Sequence, residues 1–285
     1  MDGDDMPNLL IIDGHNLLFQ MFFGMPSRII NKDGKAIQGT LGFVGAMLKI
    51  IRMTSPTHLV VLFDGEHENT RMELNADYKS NRTDYSTVAD EDSPFSQLAD
   101  VYAALDYLDI KHIEVEEHET DDVIASYALR YGVEMQIVIS SFDSDFFQLI
   151  NNNVSVLRYR GDHTVICDTG YIREKLGISP EQYADFKSLT GDNCDNIKGA
   201  DKIGPKTAAQ LINQFGSLTE TICRADEITK PSVRASIKND KDRLIQNYQL
   251  IKLDTKAKIP FELDELTYTY NGITTNEVLQ GIGFK

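Results

Sequence analysis

"NLLIID", residues 8–13, is four consecutive apolar residues running into a carboxylate. A run this short, apolar at successive rather than alternate positions, reads as a strand buried on both faces, with Asp13 at its carboxyl end. "HLVVLFD" reaches Asp64 in the same way and "MQIVISSFDSD" reaches Asp143, while "KHIEVEEHE" leads to Glu119. Between these runs, "GTLGFVGAMLKIIRM" (39–53) and "PFSQLADVYAALDYL" (94–108) carry helical periodicity. Strands alternating with helices predict an α/β fold, a mostly parallel central sheet flanked by helices. Ligands of such sheets bind beyond the carboxyl ends of the strands, where these acids fall.

From about Ser179 the pattern changes to short helices: "SPEQYADFKSLTG", "GPKTAAQLINQFG" and the longer "KPSVRASIKNDKDRLIQNYQLIKL". Pro180 and Pro205 stand near helix starts, and Gly191 and Gly216 near helix ends. Two units are expected: an α/β unit over residues 1–178, and a helical subdomain over 179–285 whose last strands or coil return to the first. "NRTDYSTVADEDS" (81–93) is polar and without periodicity, and reads as a mobile loop or lid. The start of the chain has only a short apolar run after an acidic tip, "DGDD" (2–5), which reads as a solvated tail. It resembles neither a signal peptide nor a membrane span, so a soluble cytoplasmic protein is expected. Three cysteines without paired spacing read as reduced structural thiols.

The chain carries 28 basic and 44 acidic residues, a net charge of −16, which by itself argues against a polyanionic partner. The charge is divided, however. Residues 1–186 hold 14 basic and 31 acidic residues, whereas residues 187–258 hold 13 and 9. A basic segment in an acidic protein suits a partner held by one part and chemistry done in the other, with bound cations reversing the sign where they meet.

The acidic part holds the first chemical constellation. "HETDDVIA" places Glu119, Asp121 and Asp122 at a helix start, where Thr120 can cap and the helix dipole eases repulsion. With Asp13, Asp64, Asp143, Asp145, Asp192 and Asp195 they make a set of carboxylates with no histidine or cysteine cluster. Two unit charges about 4 Å apart repel by roughly 4 kcal/mol at an effective dielectric near 20, so converging carboxylates need protons or cations. Oxygen-only ligands favour Mg²⁺ or Mn²⁺. Two such ions roughly 3.5 to 4 Å apart can clamp the attacking and leaving oxygens of a phosphodiester. The second constellation is "LTGDNCDNIKGADKIGPKTAAQLI" (189–212): a tight turn entering a helix at Gly204 and Pro205, with Lys206 beside it, offers backbone N–H groups to a phosphate. The third is "FDGEHENTRMELNADYKSNR" (63–82), in which Arg71, Tyr78, Lys79 and Arg82 supply cations and a ring on which a base can stack. Lys79 and Arg82 are expected three apart on one helical face.

Taken together, "LLIIDGHNLLF", "FDG" followed by "TR" and "YKSNR", "EHETDDVIAS", "SFDSDFFQLI" and "LTGDNCDNIKGADKIGPKTAAQLI" resemble, in family order, the 5′-nuclease family of exonucleases and flap endonucleases. The resemblance implies a PIN-like sheet with a C-terminal helix-hairpin-helix element at about 188–216, an arch or gateway at about 77–97, and two Mg²⁺ or Mn²⁺ ions. It implies hydrolysis of DNA phosphodiesters near a 5′ end, leaving 5′-phosphates. By motif match, Asp13, Asp64, Glu119, Asp121 and Asp122 would surround one ion, and Asp143, Asp145, Asp192 and Asp195 the other. Lys79 and Arg82 match the basic positions beside the scissile phosphate. Arg71, Tyr78, Lys198, Lys202, Gly204, Lys206 and Thr207 would contact DNA, with a potassium ion on carbonyls of the hairpin. The implied partner is DNA with a 5′ flap, nick or single-stranded 5′ end, or an RNA-primed end, bound by a stand-alone monomer.

Three positions depart from the family pattern: Lys202 stands where glycine is common, Lys198 where proline is common, and Ser144 where a basic residue is frequent. Lys202 at positive φ would cost on the order of 1 kcal/mol. Two other readings compete, a non-catalytic module for branched DNA and a metal-dependent ribonuclease of related fold. A phosphatase with a strand-end aspartate nucleophile is disfavoured by His15, which stands where a second aspartate is expected.

Overall fold

The computed structural model describes residues 6–32, 34–65 and 70–284; the tail at 2–5 lies outside them. The first part of the chain runs β1 (Asn8–Asp13), α1 (Gly14–Gly24), α2 (Gln38–Thr54), β2 (His58–Asp64), α3 (Thr70–Leu74), α4 (Leu98–Tyr107), β3 (Lys111–Val115), α5 (Thr120–Tyr131), β4 (Gln136–Ser140), β5 (Val154–Arg158), β6 (Val165–Cys167) and α6 (Thr169–Leu176). The order in the sheet is β3-β2-β1-β4-β5-β6, parallel throughout except for the β5–β6 pair. Neither β5 nor β6 is expected from the sequence, since "VSVLR" and "VIC" are short and lack the longer apolar run of β1 and β2.

β1 and β2 are buried on both faces, as their consecutive apolar residues require, and β4 and β5 nearly so, whereas "KHIEV" in β3 forms an edge strand that is mostly exposed, contrary to its reading as a buried strand. In β1, Leu9 and Ile11 point to one side and Leu10 and Ile12 to the other, all four fully buried. The Leu10 side is covered by α1, α2, α4 and the C-terminal helix, and the Leu9 side by α5 and the later helices. Chain order runs outward from β1 to β3, then returns to β1's other side with β4. The crevice between the ends of β1 and β4 is therefore a topological switch point, and Asp13 and Asp143 stand on either side of it.

The helical part contains α7 (Tyr183–Thr190), β7 (Gly191–Asp192), β8 (Ile197–Lys198), α8 (Pro205–Phe215), α9 (Leu218–Cys223), α10 (Pro231–Ile251) and α11 (Thr275–Gly281). Between α7 and α8 the chain makes a two-stranded hairpin in which Gly191 pairs with Lys198 and Asp192 with Ile197. Here the backbones cross so closely that a Cβ on Gly199 would stand 2.4 Å from the Thr190 carbonyl carbon. Gly191 also has φ +78°, so glycine is needed on both sides of the crossing. The helix α8 begins with Pro205 in its first turn and buries Ala208, Leu211, Ile212 and Phe215 on one face. The chain then returns to the α/β unit: Tyr268 N–H donates to the Thr57 carbonyl at 2.9 Å, and α11 packs with the α2 side of the core.

Two local expectations change. Thr120 does not cap α5; Glu119 occupies that position without a side-chain cap bond, and the Thr120 hydroxyl donates instead to the Phe63 carbonyl at 3.0 Å, tying α5 to β2. Lys79 and Arg82 share no helical face, because residues 75–82 form turns and Lys79 has φ +56°. The 81–93 segment contains 3₁₀ turns at Tyr85–Thr87 and Asp90–Asp92, and Arg28 holds it by pairing with Glu91 at 3.1 Å and Asp92 at 2.8 Å. Lys202 does adopt the left-handed conformation, at φ +61°.

Candidate metal centre and nucleic-acid interface

Asp13 caps α1 through the Asn16 N–H, 3.1 Å from its Oδ1, and accepts from the Ser141 hydroxyl at 2.8 Å on its Oδ2. Its orientation is thus set by both sides of the switch-point crevice. Asp64 ends β2, Asp121 sits in the first turn of α5, and Asp143 follows β4, with its Oδ1 accepting from the Asp145 N–H at 2.8 Å. All four line one cleft of about 1500 Å³.

They act on one another electrostatically. Burial first, then the charges of Asp64 and Asp143, push the Asp13 carboxyl up to about 7. Burial and the neighbouring Asp143, with Asp64 and Asp13 adding, raise Asp121 well above the usual carboxylate range. Among the described residues, no lysine or arginine nitrogen lies within 4.0 Å of these four carboxylates. His15 Nδ1 stands 3.8 Å from Asp64, and Lys79 acts on Asp64 and Asp121 from farther off, so the positive charge near the site is small beside its four carboxylates.

A second group follows on: oxygens of Asp145, Asp192 and Asp195 all lie within 4.8 Å of one another. Burial raises Asp145 to about 7, with Lys187 opposing and Asp143 adding, so Asp143 is felt by both groups. Asp143, grouped by motif with Asp145, Asp192 and Asp195, lines the cleft with the first set and acts on both.

Glu119 and Asp122 depart further. The Arg71 guanidinium, 7% exposed, reaches Glu119 Oε2 at 2.6 Å and Asp122 Oδ1 at 2.7 Å. Asp122 also accepts from the Asp254 N–H at 2.9 Å, which makes it a brace between α5 and the segment after α10 rather than a ligand facing the cleft. Glu119 also takes Lys79 Nζ at 3.1 Å, while its Oε1 is buried without a partner among the described residues. An orphaned buried carboxylate oxygen is the kind of group a cation satisfies.

Of the proposed DNA contacts, two are corrected. Arg71 is buried in the ion pairs just described, and Tyr78 is 3% exposed, so neither offers a surface to a nucleic acid. The cleft's aromatic wall is built instead from Phe19, Tyr85 and Phe95, which meet edge to face with centroids 5.2 to 5.6 Å apart. The sequence hinted at this only through three rings far apart in the chain. Lys79 and Arg82 line the cleft; Arg82 pairs with Asp195 at 2.9 Å, and the Lys79 N–H donates to the Asp195 carbonyl at 3.0 Å. The base of the 77–97 segment is thereby tied to the hairpin.

Lys198, Lys202, Gly204 and Lys206 are exposed at the hairpin and the start of α8, with Thr207 half-buried beside them. The helix start has no side-chain cap, so N–H groups of its first turn remain available. Behind this surface, α10 braces the turn: Asn247 donates to the Lys198 carbonyl at 2.9 Å, Arg243 to the Gly199 carbonyl at 3.0 Å, and the Ser236 hydroxyl to the Asp201 carbonyl.

Sequence reasoning missed Lys187. Its ammonium contacts Asp145 and lies 2.5 Å from Asp192 Oδ2. The signal was present in "YADFKSLT", where Lys187 falls on the same helical stripe as Tyr183 and Ala184, both buried. A lysine on a buried stripe needs an anion.

The family model described as "5′-3′ exonuclease, N-terminal resolvase-like domain" matches residues 8–177, and that described as "5′-3′ exonuclease, C-terminal SAM fold" matches residues 178–272. Among curated proteins, DNA polymerase I of Streptococcus pneumoniae is 31% identical over 273 residues, covering 93% of this chain and 30% of the relative. The thermostable DNA polymerase I of Thermus aquaticus is 32% identical over 257 residues, covering 90% and 29%. The chain thus spans about three tenths of the length of these relatives. Among solved structures, the bacteriophage T5 flap endonuclease, in a pseudo-enzyme-product complex with DNA and metal ions, has TM-score 0.70 at 22% identity, covering 96% of this chain and 99% of that one. The bacteriophage T5 5′-exonuclease with bound divalent metal ions (zinc) has TM-score 0.71 at 23% identity, covering 87% and 90%. The catalytic core of Rad2 in complex with DNA substrate has TM-score 0.59 at 14% identity, covering 98% and 93%.

Proposed function

Because the chain belongs to the 5′-3′ exonuclease family, we propose that it is a metal-dependent, structure-specific 5′ nuclease that hydrolyses DNA phosphodiesters near 5′ ends and leaves 5′-phosphates. The observation that carries this reading is the convergence of Asp13, Asp64, Asp121 and Asp143 in one cleft, where burial and then neighbouring carboxylates raise Asp13 and Asp121, beside the compact Asp145–Asp192–Asp195 group. Activity of this chain by itself, without the rest of the longer polymerases, is part of the proposal, as are a monomeric state and a cytoplasmic location. Among the described residues no helix is long and apolar enough to cross a membrane. The division into an α/β unit over 1–178 and a helical unit over 179–285 belongs to the same reading.

Mg²⁺ or Mn²⁺ would be held by Asp13, Asp64, Asp121 and Asp143 at one position and by Asp145, Asp192 and Asp195 at the other. Bound there, the ions supply a lowered water pKa and stabilisation of charge on the phosphoryl oxygens. Glu119 holds Lys79 in the cleft wall, and Asp195 holds Arg82, so both cations are positioned before a phosphate arrives. Lys198, Lys202, Lys206 and the start of α8 grip the duplex backbone at a distance from the chemistry. Phe19, Tyr85 and Phe95 present rings to unpaired bases entering the cleft. A potassium ion on the hairpin has to compete with Asn247, Arg243 and Ser236 for the carbonyls of Lys198, Gly199 and Asp201; duplex affinity compared in K⁺ and Na⁺ decides its role.

The direct test is a 5′-labelled flap incubated with the chain and Mg²⁺, alongside nicked duplex, a blocked flap and an RNA-primed end. Cleavage by wild type and its loss in Asp121→Ala are expected. No cleavage of any substrate, or undiminished cleavage by Asp121→Ala, overturns the assignment.

A further inference from the structure

The two acidic groups differ in what already neutralises them. The four-acid group has no lysine or arginine nitrogen within 4.0 Å among the described residues, whereas the three-acid group holds two side-chain cations. Arg82 reaches Asp195 from the cleft side, and its side chain is half exposed. Lys187 comes from beneath: its side chain is 7% exposed, and its ammonium contacts Asp145 Oδ1 and stands 2.5 Å from Asp192 Oδ2. Both carboxylates belong to the group whose oxygens come within 4.8 Å of one another, so the ammonium sits on two of the three side chains that a divalent ion there needs. It is anchored on α7, whose next turn becomes the hairpin strand carrying Asp192, so ammonium and carboxylate are held in register by five residues of chain.

We propose that Lys187 is a tethered cation that holds the place of the second divalent ion, so that the four-acid group binds its ion first and tightly while the three-acid group accepts one only by displacing the Lys187 ammonium. This rests on reading both groups as metal-binding. The displaced ammonium has acceptors at hand, the Ser144 hydroxyl at 3.4 Å and the Tyr183 ring at 5.9 Å. A small shift of the lysine tip therefore frees Asp145 and Asp192 without exposing the charge to an apolar core. The consequence is a nuclease in which one ion is resident and the other conditional, with Lys187 offsetting the mutual repulsion of Asp145 and Asp192 until the second ion binds.

The test is a titration of the DNA-free 285-residue chain with MnCl₂, following free Mn²⁺ by electron paramagnetic resonance. Wild type should bind one ion at least about tenfold more tightly than the second; Lys187→Met should strengthen the second by about tenfold and leave the first unchanged. Lys187→Arg, which keeps the charge, should retain the wild-type separation. Two ions bound with equal affinity by wild type overturn the proposal without any variant having to fold. An unchanged separation in Lys187→Met overturns it as well. Absence of Mn²⁺ binding at both groups overturns the metal reading itself, and failure of flap cleavage with the separation intact overturns only the nuclease assignment.

Discussion

Arg71 illustrates how far residue type alone leads. A basic residue next to a "YKSNR" motif reads as a phosphate contact, yet its guanidinium lies inside the protein, bidentate between Glu119 and Asp122. Planar geometry suits Arg71 to this bridge, which orders the α5 start and keeps two carboxylates from repelling each other. Removing one partner of a buried ion pair leaves the other charges uncompensated, so Arg71→Met should lower stability by about 3 to 5 kcal/mol, measured by urea unfolding. If Arg71 were a DNA contact alone, that variant would unfold like wild type and lose only affinity. The acids themselves were legible because carboxylates recur at or just beyond the ends of β1, β2 and β4 as well as at the start of α5. Which of them face the cleft was not, since Asp121 and Asp122 are adjacent in sequence and point apart only because α5 turns about 100° per residue.

The hairpin between α7 and α8 is the element on which the sequence made its most specific claims. Gly191 and Gly199 cross where any Cβ would meet backbone, and Gly199→Ala should cost about 1 to 3 kcal/mol of stability, because the obstructing atoms cannot rotate away. Lys202, at φ +61°, carries the opposite signal. Lys202→Gly relieves the left-handed strain and should raise stability by up to about 1 kcal/mol, offset in part by glycine's greater freedom when unfolded. Exposed Lys206 should act differently from both: Lys206→Ala leaves the melting temperature in place, weakens duplex binding, and reduces the slope of log affinity against log salt by about 1. An unchanged salt slope would remove Lys206 from the phosphate contacts.

On the scale of the whole molecule, the sheet order decides where the chemistry can be. The reversal between β1 and β4 opens a crevice at the strand ends, and α5 and the hairpin bring Asp121, Asp192 and Asp195 to it from distant parts of the chain. Lys187, Arg82 and, from farther off, Lys79 offset part of the cost of gathering these charges, and bound cations would offset more. Added Mg²⁺ at about 100 times its dissociation constant contributes roughly 2.7 kcal/mol, a rise in melting temperature of roughly 4 to 5 °C for a chain of this size. Asp121→Ala should abolish most of that rise, and a melting temperature indifferent to Mg²⁺ would contradict metal binding by the folded cleft.

Local chemistry determined a great deal by itself. Short consecutive apolar runs ending in acids read as strands with carboxylates at one rim, and the glycines and prolines between residues 180 and 216 set where the later helices start and stop. Tertiary structure decided what depends on contacts between remote residues: Arg71 and Tyr78 turned inward, Phe19, Tyr85 and Phe95 assembled into a wall, and Lys187 placed among Asp145, Asp192 and Asp195. The reason is physical. A strand or turn announces itself through neighbours in the chain, whereas the partner of a charge is set by whichever opposite charge folding brings within a few ångströms of it.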